Sequence, residues 1–331
     1  MRRETRTNTE ELTDRESDRD DIWSIALAAA GASERVAQAN QFATFALADD
    51  AQLRPVPEGD RDALIAWQPG DGWQTVLPAN DPRQAPIDLY LPICSATAAQ
   101  PVTVGHLGQS LDGFIAMHAG ESCWVTGEEN ILHLHRLRAL CDAVVVGAGT
   151  VAADDPQLTT RRVAGPSPVR VVLDPARRLG AHHRVFSDDS AETVYVCARS
   201  LTRPGESHLG LAAIHGVEDV GGGIDVGEVV RWLRGRGRTR IFVEGGGVTV
   251  SMFLEANLLD RLHLAIAPLI IGDGRPGIRL PPPAFLGDCH RPRYRVFRMG
   301  TDVLFDCDLS SRSDDRARSR PGAPSPVTRV I

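Results

Sequence analysis

The pattern of apolar and polar residues changes near residue 100. From about residue 101 onward, short apolar runs typical of buried strands alternate with segments whose apolar residues recur at helical spacing. The strand-like runs include "DAVVVGAG", "VRVVLD", "TVYVCA" and "TRIFVEG", and the helical segments include "NILHLHRLRALC" and "VGEVVRWLRGRG". The final run, "RYRVFRMGTDVLFDCDL", predicts an antiparallel pair that turns at "MGTD". Strands that alternate with helices and end in a hairpin predict an α/β fold with a mixed sheet over residues 101–309.

The segments on either side have other patterns. Residues 1–20 are charged and almost without apolar side chains, which predicts a disordered acidic N-terminus. Residues 21–100 form an N-terminal extension that opens with the helical run "DIWSIALAAAGA" and contains no catalytic constellation, so the sequence gives it no role. Residues 310–331 are polar and rich in Pro and Ser, which predicts a disordered tail.

Composition points to a cytoplasmic protein with no membrane or nucleic-acid partner. No apolar run approaches the roughly 18 residues that span a bilayer, and the N-terminus lacks the apolar stretch of a secretory signal. The six cysteines form no C-x-x-C pair, so we expect reduced, mostly buried thiols. The net charge of −7 argues against binding to nucleic acid.

The chain contains no lysine, so all 36 residues counted as Lys or Arg are arginine. This excludes a Schiff-base lysine, a P-loop lysine and a lysine general base. Any phosphate site must therefore be built from arginine side chains, backbone N–H groups and hydroxyls.

A glycine pattern in residues 144–156, "VVVGAGTVAADDP", matches the Rossmann dinucleotide fingerprint. Gly147, Gly149 and Ala152 have the spacing G-x-G-x-x-A. A Rossmann unit needs a crossover helix of about ten residues or more after its glycines. Here Pro156 follows almost at once, and no apolar helical stripe comes after it. We therefore reject the Rossmann interpretation of this stretch.

A second glycine run, in residues 239–260, fits a phosphate site better. The stretch "TRIFVEGGGVTVSMFLEANLLD" predicts a strand, then Glu244, three glycines and a helix with an apolar face. Glycines let the backbone approach a ligand closely, and a helix N-terminus offers unpaired N–H groups. A Gly-Gly-Gly run alone is better explained by a tight turn without a ligand. Because Glu244 directly precedes the glycines, we favour a phosphate site.

Taken together, the motifs resemble the reductase domain of riboflavin biosynthesis, which belongs to the dihydrofolate-reductase-like superfamily. The matching stretches follow in the family's order over about residues 101–309: "GQSLDGFIAMHAGESCWVTG", "LHRLRALCDAVVVGAGTVAADDPQLTTR", "VVLD", "VEGGG" and "LAIAPLIIGDGRP". The resemblance implies a mostly parallel sheet flanked by helices, a C-terminal antiparallel hairpin and a homodimer. It also implies NADPH as cofactor and hydride transfer to ribose C1′ of a ribosylamino-pyrimidine 5′-phosphate.

The resemblance further implies a set of site residues. The implied substrate-binding residues are Ser122, Arg138, Leu158, Arg161 and Glu244, with the two arginines expected at the 5′-phosphate. The implied NADPH-binding residues are Gly108, Trp124, Thr150, Asp154, Gly245, Gly246, Gly247, Val248, Thr249 and Val250. Asp154 is also the candidate catalytic residue. The sequence does not rank Arg177, Arg178 and Arg199 as partners for the NADPH 2′-phosphate.

Other polar residues have simpler explanations. Without the resemblance, Arg138 would be explained by the dipole of its helix C-terminus. Asp112 in "SLDG" is expected to form a turn. His133 and His135 are two apart on a predicted helix and do not share a face, so we expect them to be at the surface or partly packed and not to be metal ligands. The arginine-rich residues 231–240 have no aromatic platform beside them, which predicts a solvated face.

The N-terminal extension departs from the bifunctional riboflavin enzymes, which carry a zinc deaminase with H-x-E and P-C-x-x-C motifs. Residues 1–100 contain no histidine and one cysteine, so we expect no deaminase activity and no bound metal. The substrate stays open among riboflavin-pathway pyrimidines, a pterin and other heterocycles. A non-catalytic ligand-binding protein on the same fold is the alternative of a different class.

Overall fold

The computed structural model describes residues 5–118 and 125–310. The chain divides into two compact units, Met1–Gln100 and Pro101–Ile331. The tail predicted to be disordered lies, apart from Ser310, outside the described residues. Within the described residues, no helix has both the length and the apolar character needed to cross a membrane.

The first unit combines two helices with a four-stranded antiparallel sheet. Its helices and strands are α1 (Thr5–Ala39), β1 (Ala43–Leu47), β2 (Leu53–Val56), β3 (Ile65–Gln68), β4 (Gly72–Thr75) and α2 (Gln84–Cys94). The strand order is β2-β1-β3-β4. Its core contains two aromatic groups: Trp23 meets Tyr90 edge to face, and Trp73 meets both Phe45 and Trp67. Trp67 and Trp73, which flank the "QPGDG" stretch at residues 68–72, therefore pack inside the unit.

Helix α1 begins at Thr5, so it includes most of the charged segment for which the sequence predicts disorder. The segment contains no proline, and its first glycine is Gly31. Arginine and glutamate are good helix formers. The charged segment can therefore continue a helix whose nucleation cost is offset by the packed apolar stretch that follows it.

The second unit contains most of the strands and five helices among the described residues. Its helices are α3 (Glu128–Leu140), α4 (Ala148–Asp154), α5 (Arg184–Ser187), α6 (Val226–Gly235) and α7 (Gly247–Glu255). Its strands are β5 (Val102–Ser110), β6 (Phe114–Ala116), β7 (Ala143–Gly147), β8 (Val169–Leu173), β9 (Thr193–Ala198), β10 (His208–Leu209), β11 (Ala212–Val217), β12 (Asp219–Val220), β13 (Gly223–Ile224), β14 (Arg240–Glu244), β15 (Arg261–Ala267), β16 (Arg275–Pro276), β17 (Arg293–Met299) and β18 (Asp302–Asp308).

A ten-stranded sheet organises this unit, with the order β10-β11-β9-β8-β7-β14-β5-β15-β18-β17. The strands from β11 to β15 in this order are parallel. Strand β18 pairs antiparallel with both β15 and β17, and the short β10 is antiparallel to β11. The predicted mixed, mostly parallel sheet with a C-terminal antiparallel hairpin is confirmed.

The central strands are buried on both faces, which explains their uninterrupted apolar runs. Every residue of β8 and β9 is buried, as are the first four residues of β7. Helix α6 covers this core with Val226, Val229, Val230 and Leu233, which recur at helical spacing. Its N-terminus is capped by Asp225, whose side chain accepts a hydrogen bond from the backbone N–H of Gly227.

The connection from β7 to β8 confirms that the first glycine pattern is not a Rossmann unit. Helix α4 has only seven residues and ends at Asp154, and the next residue, Asp155, has a left-handed φ of 41°. No helix or strand follows before β8 begins at Val169. The connection therefore lacks the long crossover helix that a Rossmann unit requires.

Candidate active site

A cleft of about 880 Å³ lies at the carboxyl ends of β5, β7 and β14. Ligands of open parallel sheets bind at this end of the strands, and this volume is typical of a cofactor or substrate site. The cleft walls include residues from the ends of β5 and β7, from the start of α4, and from the segment that joins β14 to α7.

Glycines bring the N-termini of α4 and α7 close together in this cleft. A Cβ atom on Gly147 would collide with the hydroxyl of Thr249, and one on Gly246 would lie 3.0 Å from the hydroxyl of Thr150. Gly245 and Gly246 have φ of 64° and 70°, a conformation that residues with a Cβ rarely adopt. Two helix N-termini that converge on one cleft present N–H groups and positive dipole ends to an anion.

Most of the predicted cofactor residues line this cleft. The predicted site residues in its wall are Gly108, Thr150, Asp154, Glu244, Gly245, Gly246, Gly247, Val248 and Thr249. Val250 is fully buried behind them in the core. Ser122 and Trp124 lie outside the described residues. Arg138, Leu158 and Arg161 lie outside the cleft wall. Arg138 contacts Glu244 and Thr159, and Arg161 contacts Thr159.

Arg138 forms a buried ion pair with Glu244. Its Nε donates to Glu244 Oε2 at 2.7 Å, its Nη2 donates to Glu244 Oε1, and its Nη1 donates to the Thr159 carbonyl at 3.2 Å. The two side chains are 8% and 12% exposed. Burial acts to lower the pKa of Arg138, but the charge and hydrogen bonds of Glu244 raise it above its usual value. Arg138 therefore fixes the position of the Glu244 carboxylate at the cleft wall, and the helix dipole is not needed to explain Arg138.

The segment after α4 leads to Arg161 next to this pair. Leu158 is buried with a left-handed φ of 58°, and Thr159 accepts a hydrogen bond on its hydroxyl from Arg161 Nη1 at 2.9 Å. The backbone N–H of Arg161 donates to His135 Nδ1 at 3.1 Å. Burial and the charges of Arg138 and Arg161 lower the pKa of His135 to about 4. The region is electropositive, and its histidine is neutral at pH 7.

Sequence reasoning missed a polar group in the cleft wall formed by His106, Asn130 and Thr126. His106 Nε2 lies 2.9 Å from Asn130 Oδ1, and Asn130 Nδ2 donates to Thr126 Oγ1 at 2.9 Å. Burial lowers the pKa of His106 to about 4, so this ring is also neutral at pH 7. The available signal was a histidine inside the otherwise apolar run of β5.

The surface position expected for His133 and His135 is wrong, because both residues are buried. His133 Nε2 lies 3.0 Å from His263 Nδ1, and His263 Nε2 lies 3.3 Å from Asp306 Oδ1. The two helical histidines are accommodated because each has a polar partner on another element. Among the described residues, no group of His, Cys, Asp and Glu has an arrangement that could hold a metal ion.

The structure separates the three arginines considered for a 2′-phosphate. Arg177 forms a bidentate ion pair with Glu206, with contacts of 2.8 and 2.7 Å. Arg199 is paired with Glu228 at 2.5 Å. Arg178 lines the cleft, and its side chain is 73% exposed and 4.0 Å from Asp174, at the limit of an ion pair.

Two further expectations concern residues outside the cleft wall. Asp112 accepts hydrogen bonds from the Ser110 hydroxyl and from backbone N–H groups of the 271–272 loop, as expected for a turn residue. In the 231–240 segment, Arg231 pairs with Asp225, and Arg236 stacks on Trp232 at 4.2 Å. These local partners favour a solvated helix face over a nucleic-acid surface.

Comparison with known proteins gives consistent matches over the second unit. The family model for the RibD C-terminal domain matches residues 102–289. The 2,5-diamino-6-ribosylamino-4(3H)-pyrimidinone 5′-phosphate reductase of Methanothermobacter thermautotrophicus is 36% identical over 177 residues, which cover 52% of this chain and 80% of that protein.

Two solved structures share the fold. A diaminohydroxyphosphoribosylaminopyrimidine deaminase/5-amino-6-(5-phosphoribosylamino)uracil reductase of Thermotoga maritima aligns with a TM-score of 0.53 and 25% identity, covering 68% of this chain and 61% of that one. The riboflavin biosynthesis reductase Rib7 of Saccharomyces cerevisiae aligns with a TM-score of 0.51 and 22% identity, covering 63% of this chain and 90% of that one. The matched part thus spans most of the yeast reductase but about three fifths of the Thermotoga protein. The predicted dihydrofolate-reductase-like fold is confirmed.

Proposed function

This chain belongs to the family of the RibD C-terminal domain, and we propose that it is an NADPH-dependent reductase of a phosphorylated ribosylamino-pyrimidine. The observation that carries this proposal is one cleft in which two glycine-linked helix N-termini face a carboxylate fixed by a buried arginine. The helix N-termini suit a dinucleotide pyrophosphate, and the fixed carboxylate suits a polar substrate beside it.

The residues of the cleft fit a nicotinamide dinucleotide. The left-handed glycines at 245 and 246 keep the backbone free of side chains where phosphates would approach. Among the described residues, apart from its chain neighbours, no heavy atom lies within 4 Å of the position that a Cβ on Gly245 would take. We assign Gly245–Thr249 and Thr150 to the pyrophosphate, with Gly108, Trp124 and Val250 completing the cofactor site by resemblance. Of Arg177, Arg178 and Arg199, Arg178 is the one that lines the cleft, and we assign it to the 2′-phosphate. When bound, NADPH supplies the hydride.

The substrate side of the cleft is assigned from Glu244 outward. The carboxylate oxygens of Glu244 accept hydrogen bonds, so they suit the N–H or hydroxyl donors of an aminopyrimidine or its ribosyl chain. Arg138 positions this carboxylate, while Leu158, Arg161 and Ser122 complete the substrate site. Reduction at C1′ also requires a proton, and Asp154, which lines the cleft, is the residue we assign to provide it.

We also propose that the protein is a homodimer in the cytoplasm. Family resemblance supports the dimer, and the exposed edge strand β17 carries Tyr294 with 63% of its surface accessible. An unpaired edge strand can bind a second copy. Light scattering on the full chain tests this directly, since a monomer at micromolar concentration would contradict it.

The decisive genetic experiment is complementation of a riboflavin auxotroph that lacks only the reductase. Rescue by the full chain is expected, and rescue should be lost in Asp154→Asn while NADPH binding measured by calorimetry is retained. A protein that binds no nicotinamide nucleotide contradicts the proposal. A protein that binds NADPH but oxidises it only with a pterin or another heterocycle supports the alternative substrate, and binding without turnover supports a non-catalytic role.

A further inference from the structure

Glu244 and His106 are direct neighbours in the wall of the cleft. They occupy paired positions in the register of the parallel strands β14 and β5, and neighbouring strands lie about 4.8 Å apart. Both side chains face helix α3, because Arg138 binds Glu244 and Asn130 contacts His106. Both residues also line the cleft. The cleft wall therefore presents a carboxylate and an imidazole side by side.

The contact with Asn130 fixes which nitrogen of His106 carries the proton. Asn130 Nδ2 donates to Thr126 Oγ1 at 2.9 Å, which directs Asn130 Oδ1 toward His106 Nε2, also at 2.9 Å. A carbonyl oxygen only accepts, so Nε2 is the protonated nitrogen. Burial lowers the pKa of His106 to about 4, so the ring is neutral at pH 7 and Nδ1 is an acceptor. Among the residues that the structure describes, none donates a hydrogen bond to Nδ1.

Close packing around Gly108 holds this polar group rigidly. A Cβ on Gly108 would lie 2.8 Å from Thr126 Cγ2 and 3.4 Å from Asn130 Nδ2, so the glycine lets both side chains approach β5. The N–H of Gly127 donates to the buried Asp302 at 2.7 Å, which anchors the same segment to β18. The imidazole and Asn130 are each only 2% exposed. The acceptor at Nδ1 is therefore oriented before any ligand binds, which favours recognition of a matching donor.

We propose that His106 Nδ1 and the Glu244 carboxylate bind two adjacent amino groups of the pyrimidine, so that His106 determines specificity for a vicinal diaminopyrimidine. This inference rests on the proposed function. Each Glu244 oxygen accepts one hydrogen bond from Arg138 and keeps a second lone pair for a ligand. A 5-amino-6-ribosylamino-pyrimidine carries N–H donors on the neighbouring carbons C5 and C6, which match two neighbouring acceptors.

The proposed reaction decides which amino group lies at which residue. Hydride is delivered to C1′, which is bonded to the nitrogen on C6. Glu244 directly precedes the glycines assigned to the cofactor, so the C6 nitrogen lies beside Glu244 and the C5 amino group lies beside His106. In an oxidised pterin both nitrogens belong to a second ring and neither carries a hydrogen. A site with two acceptors therefore rejects such a pterin, because its buried polar groups would be left unpaired.

The kinetic test uses the ribosylamino-pyrimidine 5′-phosphate with its 5-amino group and an analogue with hydrogen in that position. The unsubstituted chain should have a kcat/KM about 10-fold or more lower on the analogue. His106→Gln keeps an N–H for Asn130 but lacks the acceptor at Nδ1, so it should lose about 10-fold on the amino substrate and little on the analogue. His106→Asn places an amide oxygen near Nδ1 and loses the Asn130 contact, so it should retain the preference.

A purely structural role for His106 predicts the opposite order of the two variants, because only His106→Gln keeps the hydrogen bond to Asn130. The inference is overturned if His106→Asn loses the preference and His106→Gln keeps it. It is also overturned if His106→Gln loses equally on both substrates, or if the unsubstituted chain does not distinguish them. The last comparison needs no variant, so it stands even if a substituted chain does not fold.

A binding test separates this inference from the proposed function. Calorimetry on the full chain with 5,6-diaminouracil and 6-aminouracil as probes should show about 10-fold tighter binding of the diamine, and His106→Gln should abolish the difference. Equal binding of the two probes, or no binding of either, would overturn the inference. If the preference is present but no pyrimidine is reduced, the proposed function fails and the recognition site stands. If the pyrimidine phosphate is reduced and His106→Gln is equally active, the reverse holds.

Discussion

Removing Arg138 alone should destabilise the second unit strongly, because it leaves Glu244 without its partner. The change Arg138→Met keeps a long side chain but removes both hydrogen bonds to Glu244 and the one to the Thr159 carbonyl. Breaking one side of a buried ion pair costs about 3–5 kcal/mol. The exposures of 8% and 12% place this pair near the buried limit.

A matched control uses the other arginine–glutamate pair of the same region. Arg162 and Glu128 are 44% and 62% exposed. Surface pairs of this kind contribute about 0–1 kcal/mol, so Arg162→Met should change stability by no more than that. The double variant Arg138→Met, Glu244→Met replaces the buried pair with apolar side chains and should recover most of the loss. It should nevertheless remain inactive, because Glu244 lines the cleft.

The assay is urea unfolding followed by circular dichroism, with the transition of the second unit identified by its shift among the variants. Activity of the same samples is measured below the transition. The reasoning is refuted if Arg138→Met and Arg162→Met lose equal stability. It is also refuted if the double variant is no more stable than Arg138→Met, because the loss would then come from side-chain volume and not from an unpaired carboxylate.

Three further predictions address packing, pH and cofactor choice. Gly247→Ala should lower the free energy of unfolding by about 1–3 kcal/mol and weaken NADPH binding, because the new Cβ would collide with backbone oxygens of residues 276–277. A Cβ on Gly235 would meet nothing, so Gly235→Ala should be neutral or stabilising by up to about 1 kcal/mol. Chemical unfolding of both variants checks this, and equal effects would contradict it. Burial lowers the pKa of His106 from 6.5 to about 4. The stability that comes from keeping this ring neutral is therefore complete above pH 6.5 and falls by at most about 3 kcal/mol as the pH drops toward 4. The melting temperature should fall on acidification across that range, and a rise would be inconsistent with this prediction. Arg178→Gln should weaken binding of NADPH by about 10-fold and leave binding of NADH unchanged, and calorimetry that finds equal losses would remove Arg178 from the 2′-phosphate site.

The sequence predicts the sheet and the glycine loop well because both depend on local patterns. The short, mostly apolar runs of β7, β8 and β9 are typical of buried strands, and these strands are fully or almost fully buried. The run from Glu244 to Gly247 predicts a strand, a turn and a helix start, and it lies at the cleft. The motif around Thr150 and Asp154 also lies there, although the Rossmann fingerprint within it is accidental.

The remaining features depend on contacts between residues far apart in the chain. Arg138 and Glu244 are separated by 106 positions, and no local pattern indicates that they pair. The sequence predicts His133 at the surface or partly packed, because its buried partner His263 lies on a strand 130 positions away and no local pattern indicates the contact.

The reaction that we propose for this cleft is the reduction of a phosphorylated ribosylamino-pyrimidine by NADPH. The most direct measurement mixes the full chain with NADPH and the deaminated or undeaminated ribosylamino-pyrimidine 5′-phosphate, and follows NADPH absorbance together with product mass. We predict that one NADPH is oxidised for each ribityl product formed, the product having gained a hydride and a proton. If NADPH binds but is not oxidised with either pyrimidine, the account of this site as a riboflavin-pathway reductase is contradicted.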